Sequence, residues 1–88
     1  MSRDIAAEVR DFIRQNFYLE EGLDLGDDVS LVTGGLVDST GMLEVIGFLE
    51  EKFGIEIGDQ EVVPANLDSI GRIRDFVTRK LDRPVASA

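Results

Sequence analysis

The chain has 88 residues, 43% hydrophobic, a net charge of −9, and neither cysteine nor histidine. One small domain is expected, and it cannot use disulfides, thiolate metal sites, a histidine base or a His-dependent triad. Residues 18–68 hold thirteen carboxylates against Lys52 alone, a balance of −12, while the two ends sum to +3 from eight bases and five acids; nucleic acid is disfavoured and partners with a basic patch are favoured.

In chain order, the stripe Ile5, Val9, Phe12 and Ile13 predicts a helix over about residues 4–17, with Arg3, Arg10 and Arg14 outside it. Ser2 or Asp4 can cap its start, and the helix reads as scaffold. No apolar run reaches the length of a membrane span, and the first ten residues lack the layout of a secretory signal, so a soluble cytoplasmic monomer without membrane contact is expected. Residues 18–35 form a long connection with Gly22, Gly26, Gly34 and Gly35. Its Leu23, Leu25, Val29, Leu31 and Val32 predict a loop pinned to the core. The acids from Asp24 to Asp28 lack the alternating ligands and closing glutamate of a calcium loop, so no metal site is expected.

A second helix is predicted over about residues 39–53, with Ser39 as its first residue or cap. Met42, Ile46, Leu49 and Phe53 repeat along one face, and Thr40, Glu44, Gly47 and Glu51 repeat half a turn away. One face is thus core and the other acidic and open to a partner. Gly54 is placed to stop the helix as a left-handed cap. Ile55-Glu-Ile57 reads as a short extended piece, and Pro64 permits only a single turn nearby. Asp68-Ser69 is predicted to cap a last helix with the stripe Ile70, Ile73, Phe76, Val77 and Leu81. Its Arg72, Arg74, Arg79 and Lys80 face outward or toward the C-terminal dipole. The fold class is therefore all-α: a small four-helix bundle of three main helices and one short helix, with a long loop between the first two. Residues 1–83 form the single domain and 84–88 a frayed tail. No nucleophile–base pair is present in the sequence, and a self-contained enzyme is not expected.

A serine after aspartate at a helix start is, on spacing alone, an N-cap. Asp68-Ser69 repeats Asp38-Ser39, so the dipeptide has no specificity by itself. Context separates them: Ser39 follows Gly34-Gly35 and opens the acidic helix with Glu44, Glu50 and Glu51, whereas Ser69 leads toward Arg72 and Arg74. A phosphate attached at Ser39 would rest at a helix N-terminus, where free amides and the dipole favour an anion.

Three segments in order, Gly35-Leu-Val-Asp-Ser39, Leu49-Glu-Glu-Lys-Phe-Gly-Ile-Glu-Ile57 and Glu61-Val-Val-Pro-Ala-Asn-Leu-Asp-Ser-Ile70, resemble the acyl and peptidyl carrier proteins over nearly the whole chain. The resemblance implies that Ser39 carries 4′-phosphopantetheine through a phosphodiester, whose thiol holds an acyl or aminoacyl group as a thioester. Asp38 would help to position the phosphate end. It also implies a shuttle loaded by a phosphopantetheinyl transferase and an acyl- or aminoacyl-loading enzyme, and unloaded by a downstream transferase or synthase. Such partners would present basic patches to Thr40, Leu43, Glu44, Gly47, Glu50 and Glu51, with Phe48 a further apolar candidate. Thr40 and Gly41 depart from the family's common leucine and polar residue, and Gly47 from a larger apolar one. These departures point to a specialised carrier, with fatty acid, polyketide, nonribosomal peptide and specialised lipid pathways all open.

Two other readings apply to the same residues. Val37-Asp-Ser-Thr-Gly-Met42 also resembles the phosphorylated loop of anti-sigma-factor antagonists, an α/β fold that needs strands before the serine. An unmodified acidic helical adaptor is the third.

Overall fold

A computed structural model describes residues 4–17 and 24–82. Four helices occur among them: α1 (Ile5–Asn16), α2 (Ser39–Phe53), the single turn α3 (Pro64–Leu67) and α4 (Ile70–Asp82), with a 3-10 turn at Asp59–Glu61. No strand occurs among the described residues. The all-α expectation of three main helices and one short helix is what the described residues adopt.

Each boundary has a local cause. Asp4 Oδ1 accepts from the Ala7 amide at 3.0 Å and starts α1, whereas Phe17 turns extended and ends it. Asp38 starts α2, and Gly54, at φ 67°, stops it in the left-handed conformation that glycine adopts at no steric cost. Pro64 opens α3, where its missing amide hydrogen costs nothing. Ser69 Oγ accepts from the Arg72 amide at 3.1 Å and caps α4.

Val9 and Ile13 of α1, Val45 and Leu49 of α2, and Ile70, Ile73 and Val77 of α4 have essentially no exposed surface. Leu25, Leu31 and Val37 of the connection are buried with them, so the described part of this loop contributes to the core. Burying each such side chain is worth about 1.5–3 kcal/mol. The Leu31 carbonyl accepts from both the Leu36 and Val37 amides at 2.9 Å, folding the loop back just before α2. Asp27 ties the loop to both terminal helices: its carboxylate is paired with Arg10 of α1 and, at 3.0 Å, with Arg74 of α4.

Arg10 lies off the buried stripe of α1, as expected, and its Nε also donates to the Leu25 carbonyl at 2.9 Å. Several expectations are corrected. Val45, off the predicted stripe, is fully buried: the core side of α2 is wider than one row because it packs into the shared core of α1, α4 and the loop. Leu81 is 44% exposed, since α4 runs past the core at that point. Asp68 does not cap α4 and instead reaches back to the loop, as described below. Val32 is exposed although its neighbour Leu31 is buried. Ser2, Arg3, Gly22, Leu23 and the tail 84–88 lie outside the described residues.

Candidate functional site

The two Asp-Ser pairs are used in opposite ways. At α2 the aspartate is the cap: Asp38 Oδ1 accepts from the Gly41 amide at 2.7 Å, and Ser39 is the first helical residue. The Ser39 side chain is exposed, and none of the described residues hydrogen-bonds it. At α4 the serine is the cap, and Ser69 is only 7% exposed. Asp68 is then free to turn away, where its Oδ2 accepts from Ser30 Oγ at 2.7 Å and its Oδ1 from the Val32 and Thr33 amides at 2.8 and 3.2 Å. Ser39 therefore does no capping, and of the two hydroxyls the exposed one is that of Ser39 rather than Ser69. Asp38 serves the third amide of the helix, and no described side chain accepts from the Ser39 and Thr40 amides.

Beyond Ser39, the outer face of α2 is Thr40, Leu43, Glu44, Gly47 and Glu51, all exposed, with Leu43 at 67%. Nothing lies within 4 Å of where a Gly47 side chain would begin. Glu50 does not join this face: it is half-buried, and its Oε2 accepts from the Ile57 amide at 2.9 Å, holding the segment after Gly54. Phe48 is likewise turned inward, stacked on Phe12 at a centroid distance of 4.2 Å and an interplanar angle of 18°.

An apolar groove of about 330 Å³ runs beside Ser39. Met42, Leu43 and Ile46 of α2 form one wall, Val62, Val63 and Pro64 the other, and Ser39 is part of the lining. Sequence reasoning misses the second wall because its residues carry no periodicity, although two adjacent valines before a proline in a non-helical stretch are a usable signal. Val32, from the loop, also lines the groove.

Two carboxylates hold the groove's surroundings. Burial pushes the Asp68 carboxyl up, but the bonds from Ser30, Thr33 and Val32 outweigh it and leave its pKa below the ordinary value. Glu61, ahead of the second wall, accepts from Lys80 Nζ at 2.9 and 3.1 Å. That hydrogen bond, reinforced by the Gly58 amide and the lysine's charge, lowers the Glu61 pKa against its partial desolvation. Arg72 Nη1 also donates to the Pro64 carbonyl at 3.1 Å, tying this wall to α4.

No protein-family model matches the chain, and no curated protein matches it either.

Proposed function

We propose that the chain is a carrier domain, with 4′-phosphopantetheine esterified to Ser39. The observation that supports this best is an exposed hydroxyl on the first residue of α2 that no described residue hydrogen-bonds, the cap being supplied by its neighbour Asp38. A phosphodiester there would be received by the open amides of Ser39 and Thr40 and by the positive end of the helix dipole. In loading, Ser39 Oγ attacks the phosphorus that carries the pantetheine in coenzyme A; the adenosine bisphosphate leaves, and the serine proton passes to a base of the transferase. The group, once attached, supplies the thiol that a cysteine-free chain lacks. The apolar groove beside Ser39 gives the arm and a small acyl group a surface to rest on.

In this reading Thr40, Leu43, Glu44, Gly47 and Glu51 meet the transferase, the loading enzyme and the downstream synthase. Exposed ion pairs are worth under about 1 kcal/mol each, which suits rapid docking and release. Glu50 is given a structural role instead, because its carboxylate is engaged at Ile57. The absence of strands among the described residues removes the support for an antagonist-like α/β domain. An unmodified adaptor is the remaining competitor.

The test is an intact mass after incubation with coenzyme A, magnesium and a broad-specificity phosphopantetheinyl transferase. A single phosphopantetheine increment is expected in wild type and in Ser69→Ala with its fold intact, and none in Ser39→Ala. Folded wild type that stays unmodified, beside a control carrier that reacts, refutes the carrier reading.

A further inference from the structure

The first turn of α2 is shaped by a residue far away in sequence. Gly41, two residues after Ser39, is buried. A Cβ placed on it would lie 2.5 Å from Cε1 and 3.2 Å from Cζ of Phe17, and 3.2 Å from Oδ1 of the capping Asp38. The Phe17 ring, at the end of α1, therefore lies directly on the bare backbone of the turn that presents Ser39. The ring is itself supported from behind. It meets Phe12 edge-on at 6.3 Å and 72°, and Phe12 is stacked on Phe48 of α2. Phe17 is thus braced through Phe12 against the middle of the same helix whose first turn it touches.

Glycine is otherwise a poor choice at this position. Gly41 lies inside a helix, at its third residue, where alanine is the better former and where no positive φ is required. Its use is explained by the close approach of Phe17. We infer that Phe17 is a positioning residue for Ser39. Its ring, packed against Gly41, fixes the pitch of the first turn and the Asp38 cap, and so the place of the Ser39 hydroxyl. This inference rests on the carrier reading and names the part of the chain that sets loading efficiency at that site.

The experiment is steady-state loading of the full chain from coenzyme A by the same transferase, comparing wild type, Gly41→Ala, Phe17→Leu, Phe17→Ala and the double variant Gly41→Ala/Phe17→Leu. Thermal unfolding is followed in parallel. A methyl at position 41 displaces either the ring or the turn, and a displacement on the ångström scale at the nucleophile is expected to lower kcat about tenfold with KM changed by less than about twofold. Phe17→Ala, which removes the brace without a clash, lowers kcat in the same way. Phe17→Leu makes room for the methyl, so the double variant regains most of the lost kcat. A purely structural role would move the melting temperature and leave kcat alone. Three results overturn the inference: unchanged kcat in Gly41→Ala, unchanged kcat in Phe17→Ala, or no recovery in the double variant. Wild type that is not loaded at all refutes the carrier reading itself, and the positioning role falls with it.

Discussion

Replacing Asp68 removes a side chain that ties the start of α4 to the loop beside the groove. Three hydrogen bonds end on its carboxylate: from Ser30 Oγ at 2.7 Å, the Val32 amide at 2.8 Å and the Thr33 amide at 3.2 Å. Alanine strands all three donors. Hydrogen bonds to charged groups are worth about 1.5–3 kcal/mol each, but the Thr33 bond is long and the donors of Val32 and Thr33 are near water, so about 2–3 kcal/mol in total is expected. For a domain of this size that is a fall in melting temperature of roughly 10–20 °C. The Asp68→Asn variant behaves differently: its amide oxygen can still accept from Val32 and Thr33 while its NH2 donates to Ser30 Oγ, so the loss is about 1 kcal/mol. Thermal unfolding followed by far-UV circular dichroism gives the order wild type, Asp68→Asn, Asp68→Ala at neutral pH. The pH dependence has a fixed sign. A carboxyl whose folded pKa is lowered contributes stability that is complete above its unfolded pKa, about 4, and is lost as pH falls through the folded value. The gap between wild type and Asp68→Asn therefore narrows on acidification. Asp68→Ala melting within about 0.5 kcal/mol of wild type, or a gap that widens toward low pH, refutes this account.

Gly47→Ala fills open space on an exposed helix face, so it should stabilise the fold by about 1 kcal/mol, read as a higher denaturant midpoint at unchanged m-value; a destabilised variant would contradict the free volume there. Glu61→Gln breaks the Lys80 pair, which is about a third exposed, and should cost under about 1 kcal/mol at pH 7 and low salt. Because the Glu61 pKa is lowered in the fold, that cost shrinks as pH falls below about 4 and through the folded value, and a difference from wild type that persists in strong acid speaks against the ion pair as its source.

The main helices are legible in the sequence because their apolar residues repeat at helical spacing and because Asp4, Gly54 and Pro64 are strong local punctuation. The exposed row Thr40, Glu44, Gly47 and Glu51 follows from the same periodicity. Features that depend on contacts between distant segments are not legible. Val62 and Val63 form a wall only when they face Met42 and Ile46. Glu50 is an outward acid by sequence alone, and only the chain after Gly54 brings the Ile57 amide to it. Gly41 reads as a departure from a family pattern, and the Phe17 ring that occupies the place of its missing side chain is 24 residues away. The Asp-Ser pairs show the limit most clearly: identical dipeptides at two helix starts, with the roles of their side chains exchanged.

That exchange bears on how the serine is kept available. Aspartate and serine are nearly equivalent as caps, so the local energetics of α2 hardly distinguish a helix that starts at Ser39 from one that starts a single residue later. In the second frame the hydroxyl would be spent on a backbone amide, as it is in Ser69. The choice of frame is made from outside the helix: by Val37 buried in the core, by the Leu36 and Val37 amides held on the Leu31 carbonyl, and by the ring over Gly41. In the carrier reading, the availability of the Ser39 hydroxyl would in this sense be a property of chain registration. On that reading, substitutions in residues 30–37 would be expected to lower loading at Ser39 without touching it, by letting the helix begin one step further on.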